Sequence, residues 1–446
     1  MTVDADATAT HTTKSGGSAR WIEDWDPSDE ETWDSKFAWK TLWVTTFALV
    51  LSFCTWFLVS AIAPKLQGLG FDLSQNQLYW LVAAPGLAGG LLRLLWTPLP
   101  AVVGTRRLVT LSTLLLLIPL VGWFFALQNP DTSFAMLLLL ALATGLGGGN
   151  FSAFMPSTSY FFPRSKQGTA LGLQAGIGNF GVSIVQLATP WLIGFAMIGG
   201  SLTFVRAGHP DTQIWVQNAA LIYIPFVLVA AVLAWMMLKS VPVKSTLSEQ
   251  RDIFRLKHTW VMTALYLMTF GIFSGFAAQF GLLIKNQFGA FPGAPDPLKY
   301  AFLGALVGSA TRIAFGPLAD RWGGALWTTV SGVGLVVSLV FTSLFVDPKS
   351  LADFTPFFWG MLAIFFFSGI GNASTFKQMP MIFKPRQAGG VIGWTSAIAA
   401  FGPFIFGVLI AAVTPRPFYL GVAVFSAFCV GLNVWFYQRK NAEIKC

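Results

Sequence analysis

Long apolar runs separated by short polar stretches recur from about residue 38 to about residue 438. Twelve of these runs reach the roughly 20 residues a helix needs to cross a bilayer. They lie near 40–63, 77–99, 108–127, 134–161, 167–196, 216–238, 259–284, 299–318, 326–346, 356–382, 388–412 and 417–438. The polar positions inside them are not scattered. Asn150, Ser152, Phe154, Phe161, Pro163, Arg164 and Gly168 recur 222 residues later as Asn372, Ser374, Phe376, Phe383, Pro385, Arg386 and Gly390. Arg93, Pro98, Leu99 and Gly104 recur 219 residues later as Arg312, Pro317, Leu318 and Gly323. Two halves in the same order, each with six runs, predict two bundles related by a pseudo-two-fold axis, with a binding site near the membrane midplane between them.

Composition places this pattern in a class. The chain is 54% hydrophobic and only 11% charged, where a soluble domain carries about 25% charged residues. The fold class expected is all-α integral membrane with 12 transmembrane helices. Residues 1–38 form an acidic, tryptophan-bearing tail, 39–238 the first six-helix bundle, 239–258 a basic linker, 259–438 the second bundle and 439–446 a short tail. The positive-inside rule orients them with both termini cytoplasmic, because only Lys65, Arg206, Lys285, Lys299, Lys349 and Arg416 then fall in outer loops. Topology accounts for the net charge of +9, so nucleic-acid binding is not needed to explain it. The first 20 residues read as disordered. The acidic stretch from Trp21 to Trp33 reads first as an interfacial segment with its indoles at headgroup level, and second as a segment docked on the cytoplasmic loops.

Charge within the runs supplies the chemistry. Every Asp and Glu falls in a tail, a loop or a loop edge, whereas Arg93, Arg312 and Lys377 are embedded and all positive. An arginine at the centre of a spanning helix costs at least about 2.5–3.5 kcal/mol, and two without fixed acidic neighbours call for a mobile anion. Each is about 13 Å or more from the ends of its run at 1.5 Å per residue, too far to reach the surface. Lys377 lies about 10 Å from Lys384 and can snorkel. A guanidinium fork matches two coplanar oxygens, so a planar oxyanion is the ligand expected. Asn179 would add a donor, and Phe151, Phe270 and Phe376 would present ring edges and exclude water. Two bare guanidinium groups about 8 Å apart repel by about 2 kcal/mol at an effective dielectric of about 20, so an unloaded carrier should resist closing.

Other classes find little support. Gly145 to Gly149 lacks the lysine of a phosphate loop and reads as close helix packing. His11, His209 and His258 all lie outside the runs, so no catalytic triad or metal cluster can be assembled. The chain is expected to be neither an enzyme nor a holder of a metal or cofactor.

The segment from Gly147, Gly148, Gly149, Asn150 and Phe151 through Phe161-Phe162-Pro163 to Gly176, Gly178 and Asn179 resembles the nitrate signature of the nitrate/nitrite porter family, NarK type, of the major facilitator superfamily. Gly369 to Phe376, with Gly371 and Asn372, resembles its second copy. The resemblance implies that Arg93 and Arg312 clamp the anion, with Asn179, Phe151, Tyr266 and Phe270 around it. It implies a multi-pass nitrate and nitrite carrier of the bacterial cytoplasmic (inner) membrane, serving nitrate assimilation and working as a monomer in the lipid bilayer. Nitrate/nitrite antiport is the simplest cycle, and proton symport, with Lys377 as the coupling group, is the alternative. A carrier for another small or organic anion and a non-transporting sensor remain open readings.

Overall fold

The computed structural model describes residues 22, 25, 33–206, 210–241 and 252–446. Most of the acidic tail, His209 and most of the linker lie outside the described residues. The twelve spanning helices are α1 (Ser35–Leu69), α2 (Gln75–Trp96), α3 (Thr105–Ala126), α4 (Phe134–Ser159), α5 (Thr169–Leu192), α6 (Asn218–Met237), α7 (Lys257–Phe288), α8 (Pro297–Trp322), α9 (Gly324–Thr342), α10 (Leu351–Ile382), α11 (Gln387–Ala412) and α12 (Pro415–Gln438). They form two bundles of six. The face holding Ser35 and Gln438 is called the terminal face here, and the other the opposite face.

Local sequence explains several boundaries. Asp34 caps α1 by accepting from the backbone N–H of Phe37 at 2.9 Å. Ser74 and Gln77 form a reciprocal capping box at the start of α2, which satisfies donors that would otherwise be orphaned. α2 stops at Trp96, earlier than the expected residue 99, because the ring of Pro98 cannot continue the hydrogen-bond ladder. The repeat glycines Gly104 and Gly323 both take positive φ, 80° and 90°, where a side chain would be strained. Each therefore turns the chain tightly after α2 and after α8.

Without a hydrophobic drive between helices in lipid, small residues set how close they approach. A Cβ on Gly148 of α4 would sit 2.7 Å from Trp56 Cε2 and 2.9 Å from Gly89 Cα. Gly147 meets the backbone of Ser52, Gly149 meets Leu92 at 2.8 Å, Gly176 meets Ile313, Gly178 meets Leu49, and Gly371 meets Thr269 and Ser331. Asn150 is also structural. Its amide donates to Ser52 Oγ at 3.0 Å and to the Ser112 carbonyl at 3.2 Å, tying α4 to α1 and α3. Its repeat partner Asn372 is buried, with neither amide atom bonded to a protein group.

Two features depart from the sequence reading. Among the described residues, the expected all-α chain contains one small hairpin between α5 and α6, β1 (Leu202–Phe204) paired antiparallel with β2 (Thr212–Ile214). It folds over the opposite face, where Val205 donates to the Gly68 carbonyl at 2.8 Å. In the tail, Trp25 and Trp33 are docked on the turn between α4 and α5. They donate to the carbonyls of Tyr160 (3.0 Å) and Phe161 (2.8 Å), and Ile22 N–H donates to Ser240. Docking wins because each indole finds a backbone carbonyl and an aromatic neighbour, Phe161 for Trp25 and Phe162 for Trp33.

The bundles are stitched together on the opposite face. Lys65 pairs with Asp296 at 3.2 Å, Asn286 donates to Tyr79 Oη at 2.6 Å, and Arg206 donates to the Ala294 carbonyl at 2.6 Å. Toward the terminal face the α5–α8 contact loosens, while α11 still meets the end of α2 where Gly393 faces Thr97. Gly176 of α5 still touches Ile313 of α8, yet Gly172 and Gly316, one turn nearer the terminal face on the same helices, look into open space.

Candidate functional site

Arg93 and Arg312 are buried between the bundles, with relative exposures of 0% and 4%. Neither forms an ion pair among the described residues. Arg93 Nε donates to the Gly148 carbonyl at 2.8 Å, and its Nη1 donates to the Ser396 carbonyl of α11 at 2.8 Å. Close packing of α4 on α2, which the glycines permit, is what brings the Gly148 carbonyl within reach. Arg312 has a matching arrangement. With the Asn179 amide oriented to satisfy both neighbours, its oxygen accepts from Arg312 Nη1 at 3.2 Å and its nitrogen donates to the Ala175 carbonyl at 3.3 Å. Each arginine thus bonds a neutral acceptor in the bundle to which it does not belong.

That leaves two donors over. Among the described residues, the Nη2 atoms of both Arg93 and Arg312 are buried without an acceptor in hydrogen-bonding geometry, and the Tyr266 hydroxyl faces Arg312 without completing such a bond. The three groups lie within electrostatic range of one another. An unmet buried donor costs about 1–3 kcal/mol, more when charged, so three at one spot mark a place built for an acceptor.

Aromatic rings enclose them. Arg93 Cζ lies 4.6 Å from the ring centre of Phe151, 5.2 Å from Trp56 and 5.4 Å from Phe270, while Arg312 Cζ lies 4.9 Å from Phe376. Tyr266 stacks on Phe270 at 5.5 Å and leans on Phe376 at 5.2 Å. Phe151 meets Phe376 edge-on across the seam at 6.4 Å. A π-helical turn, Leu267–Gly271, interrupts α7 immediately after Tyr266, the kind of irregularity often found at functional sites. The rings give their negative faces to the guanidinium groups, which stabilises a desolvated cation. The sequence reading expected their edges to point at the ligand.

Six of the expected pocket residues, Arg93, Arg312, Phe151, Tyr266, Phe270 and Phe376, therefore converge on one cluster. Asn179 sits beside it, spending its oxygen on Arg312 and its nitrogen on its own helix. Lys377 stands apart. Its Nζ lies 2.6 Å from Asp320 Oδ1, and both side chains are well exposed, at 36% and 56%. Asp320, read from sequence as a loop residue, lies in the last turn of α8, where it meets that lysine. Trp56 and the carbonyls of Gly148 and Ser396 escaped the sequence reading. A tryptophan within an apolar run is unremarked, and a backbone carbonyl leaves no mark in side-chain identity.

A sequence model of the Major Facilitator Superfamily matches residues 45–398. The chain is 59% identical over 436 residues to a probable nitrate/nitrite antiporter, NarK2, of Thermus thermophilus, covering 96% of this chain and 98% of that one. It is 33% identical to the nitrate/nitrite transporter NarU of Salmonella typhimurium, covering 95% and 97%. The chain belongs to the nitrate/nitrite porter family of the major facilitator superfamily. In this porter the fold also matches a bacterial homologue of the human lysosomal transporter Spinster, described as inward-facing and unoccupied. The TM-score is 0.61 at 14% identity, covering 90% of this chain and 96% of that one, a likeness of fold alone.

Proposed function

We propose that the chain carries nitrate and nitrite across the bacterial cytoplasmic membrane by alternating access, exchanging one for the other. The observation that carries this reading is the pair of buried guanidinium groups, each keeping one N–H donor without a protein acceptor and neither facing a carboxylate. The names borne by the relatives, nitrate/nitrite antiporter and nitrate/nitrite transporter, agree with it.

The anion binds between Arg93 and Arg312. Two oxygens of a planar ion accept from the two spare Nη2 donors, and the Tyr266 hydroxyl donates to the third oxygen or a lone pair. Nitrate and nitrite are anions of acids stronger than any protein side chain titrating near neutrality, so both stay charged and the attraction holds at cellular pH. Each arginine is already bonded to the opposite bundle, so an ion shared between them ties both bundles together. Without it, two like charges in a dry aromatic box oppose closure. This makes return of the unloaded carrier slow and couples nitrate entry to nitrite exit.

The distribution of Lys and Arg puts the terminal face in the cytoplasm. The contacts along the opposite face then close the outer side, and the open spaces at Gly172 and Gly316 lie on the cytoplasmic side. Lys377, held by Asp320 away from the aromatic cluster, has no direct part in binding. The carrier works as a monomer, each chain holding a complete site.

Purified protein in proteoliposomes tests the reading. Labelled nitrate should enter only when nitrite or nitrate is inside, irrespective of a pH gradient. Uptake into nitrite-free vesicles driven by a proton gradient would overturn antiport. Inhibition of uptake by acetate or larger carboxylates as strong as by nitrite would point to a carrier of a wider class of anions.

A further inference from the structure

A polar row on α5 runs from the arginine site toward the outer face. Asn179, Ser183 and Gln186 are spaced by four and three residues, so they share one side of the helix, and all are buried. The row begins with Asn179 on Arg312. It ends at the seam, where Gln186 Nε2 donates to the Ala277 carbonyl of α7 at 2.8 Å and to Ser60 Oγ of α1 at 3.0 Å. Ser183 Oγ and Gln186 Oε1 are buried with no protein partner. A helix that only packed would gain by placing apolar residues at those positions, since an unpaired buried polar atom costs about 1–3 kcal/mol.

A cavity of about 10 Å³ lies beside Ser60, bounded by Trp56, Val82, Pro85, Ala278 and Pro403. It has walls from both bundles and about the room one water requires. Trp56 separates it from Arg93, whose Cζ is 5.2 Å from the indole, and the indole N–H is held by the Pro85 carbonyl at 2.8 Å. Polar atoms, a cross-bundle hydrogen bond and a small void thus link the outer seam to the arginines, Ser60 joining Gln186 to the void and Trp56 joining the void to Arg93.

We infer that this row is the outer leg of the anion's route, and that Gln186 is its latch. The inference rests on the transport reading above. Ala277 belongs to the other bundle, so opening the outer side must break its bond to Gln186. The freed N–H then joins the Ser183 hydroxyl in facing the incoming anion, while the Ser60 hydroxyl stays bonded to the Phe57 carbonyl at 2.7 Å. A neutral amide suits this place, because it donates to an anion without competing with the arginines for it.

The test uses the full chain in vesicles, with Cys446→Ser to remove the partly exposed thiol. One reporter is Ala278→Cys, at the cavity wall, labelled from outside by a membrane-impermeant maleimide. The other is Gly316→Cys, where the backbone faces open space, labelled from the cytoplasmic side. Gln186→Leu should raise labelling at the first several-fold and lower it at the second, as the equilibrium moves toward outward opening. Once corrected for that change in populations, the KM for external nitrate should rise about fivefold, while the cytoplasmic KM should rise by no more than the change in populations itself. Gln186→Met replaces it if the leucine variant does not insert. Labelling that rises at both reporters, or at neither, overturns the latch, and an external KM that stays unchanged after the population correction overturns the route. Labelling needs no substrate, so a wild-type protein that fails to move nitrate would sink the transport reading and leave the latch result standing.

Discussion

Arg93 of the first bundle donates to the Ser396 carbonyl of the second at 2.8 Å. Together with its bond to Gly148 on α4, this fixes the guanidinium plane and leaves a single nitrogen, Nη2, for a ligand. The charge is thereby aimed rather than merely buried. A lysine in its place would keep the charge but could not serve two carbonyls and an anion in one plane.

Arg93→Lys and Arg312→Lys should therefore each weaken nitrate binding about 10- to 100-fold. This corresponds to losing a charge-assisted hydrogen bond of about 1.5–3 kcal/mol. Titration calorimetry on detergent-purified protein of normal yield measures it. Affinity within twofold of wild type would remove the arginines from the site.

Tyr266→Phe deletes the unpartnered hydroxyl and keeps the ring that stacks on Phe270. If that hydroxyl meets the anion, affinity should fall about fivefold, near 1 kcal/mol, with little change in Tm. A rise in Tm without loss of affinity would mean the hydroxyl only burdens the core.

Gly148→Ala pushes a methyl into Trp56 and Gly89, an overpacking that costs about 1–3 kcal/mol. It also displaces the carbonyl that holds Arg93, so a lower Tm and weaker nitrate binding should appear together. Gly172→Ala is the control. Its added methyl meets nothing within 4 Å, and exchanging a helical glycine for alanine is favourable by about 1 kcal/mol, so Tm should hold or rise.

Trp25→Ala and Trp33→Ala remove the indoles that bond Tyr160 and Phe161. Trp33 also lies under the Lys166 ammonium, 4.3 Å from its ring centre. Each change should speed proteolytic release of the tail and lower Tm while leaving nitrate affinity unchanged, because the contacts lie well away from the arginines. Limited trypsinolysis and thermal unfolding report the two effects.

Glu443 accepts from Lys257 at 2.6 Å and faces His258 Nε2 at 3.4 Å. The Lys257 hydrogen bond holds its carboxyl below the usual carboxylate range. The sign follows directly: a depressed carboxyl pKa favours the docked segment above the ordinary carboxylate pKa, and that contribution fades as pH falls through the lowered one. A spin label at Lys445→Cys, in a Cys446→Ser background, should gain mobility on acidification below that range and not between pH 6 and 8. In Glu443→Gln the mobility should no longer change with pH, the remaining anchors being the backbone bonds from Ala325 to Cys446 and from Ile444 to Phe436.

Much of this was legible in the primary sequence. Twelve apolar runs, their repetition at offsets of 222 and 219, and embedded arginines without acidic neighbours follow from residue identity alone, because length, hydropathy and charge act whatever the packing. The spanning helices begin and end close to the expected runs, with the largest misses at the two ends of α1 and the start of α10, where helical turns extend beyond the apolar stretch. Lys377 shows where that reading stops. Counting residues placed it within reach of both the pathway and the surface, and only the approach of α8 to α10 set it beside Asp320.

The repeat likewise pairs Phe376 with Phe154, yet the ring that faces Phe376 across the seam is Phe151, because partners across an interface are set by helix rotation and not by equivalent position. By itself the sequence determined that two arginines without acidic neighbours stand inside a two-bundle membrane protein. The tertiary structure decided how: it assigned Gly148, Ser396 and Asn179 to hold the guanidinium groups and left one nitrogen of each to a ligand. Hydropathy and charge belong to each residue separately, whereas the direction of a hydrogen bond exists only once two helices have packed.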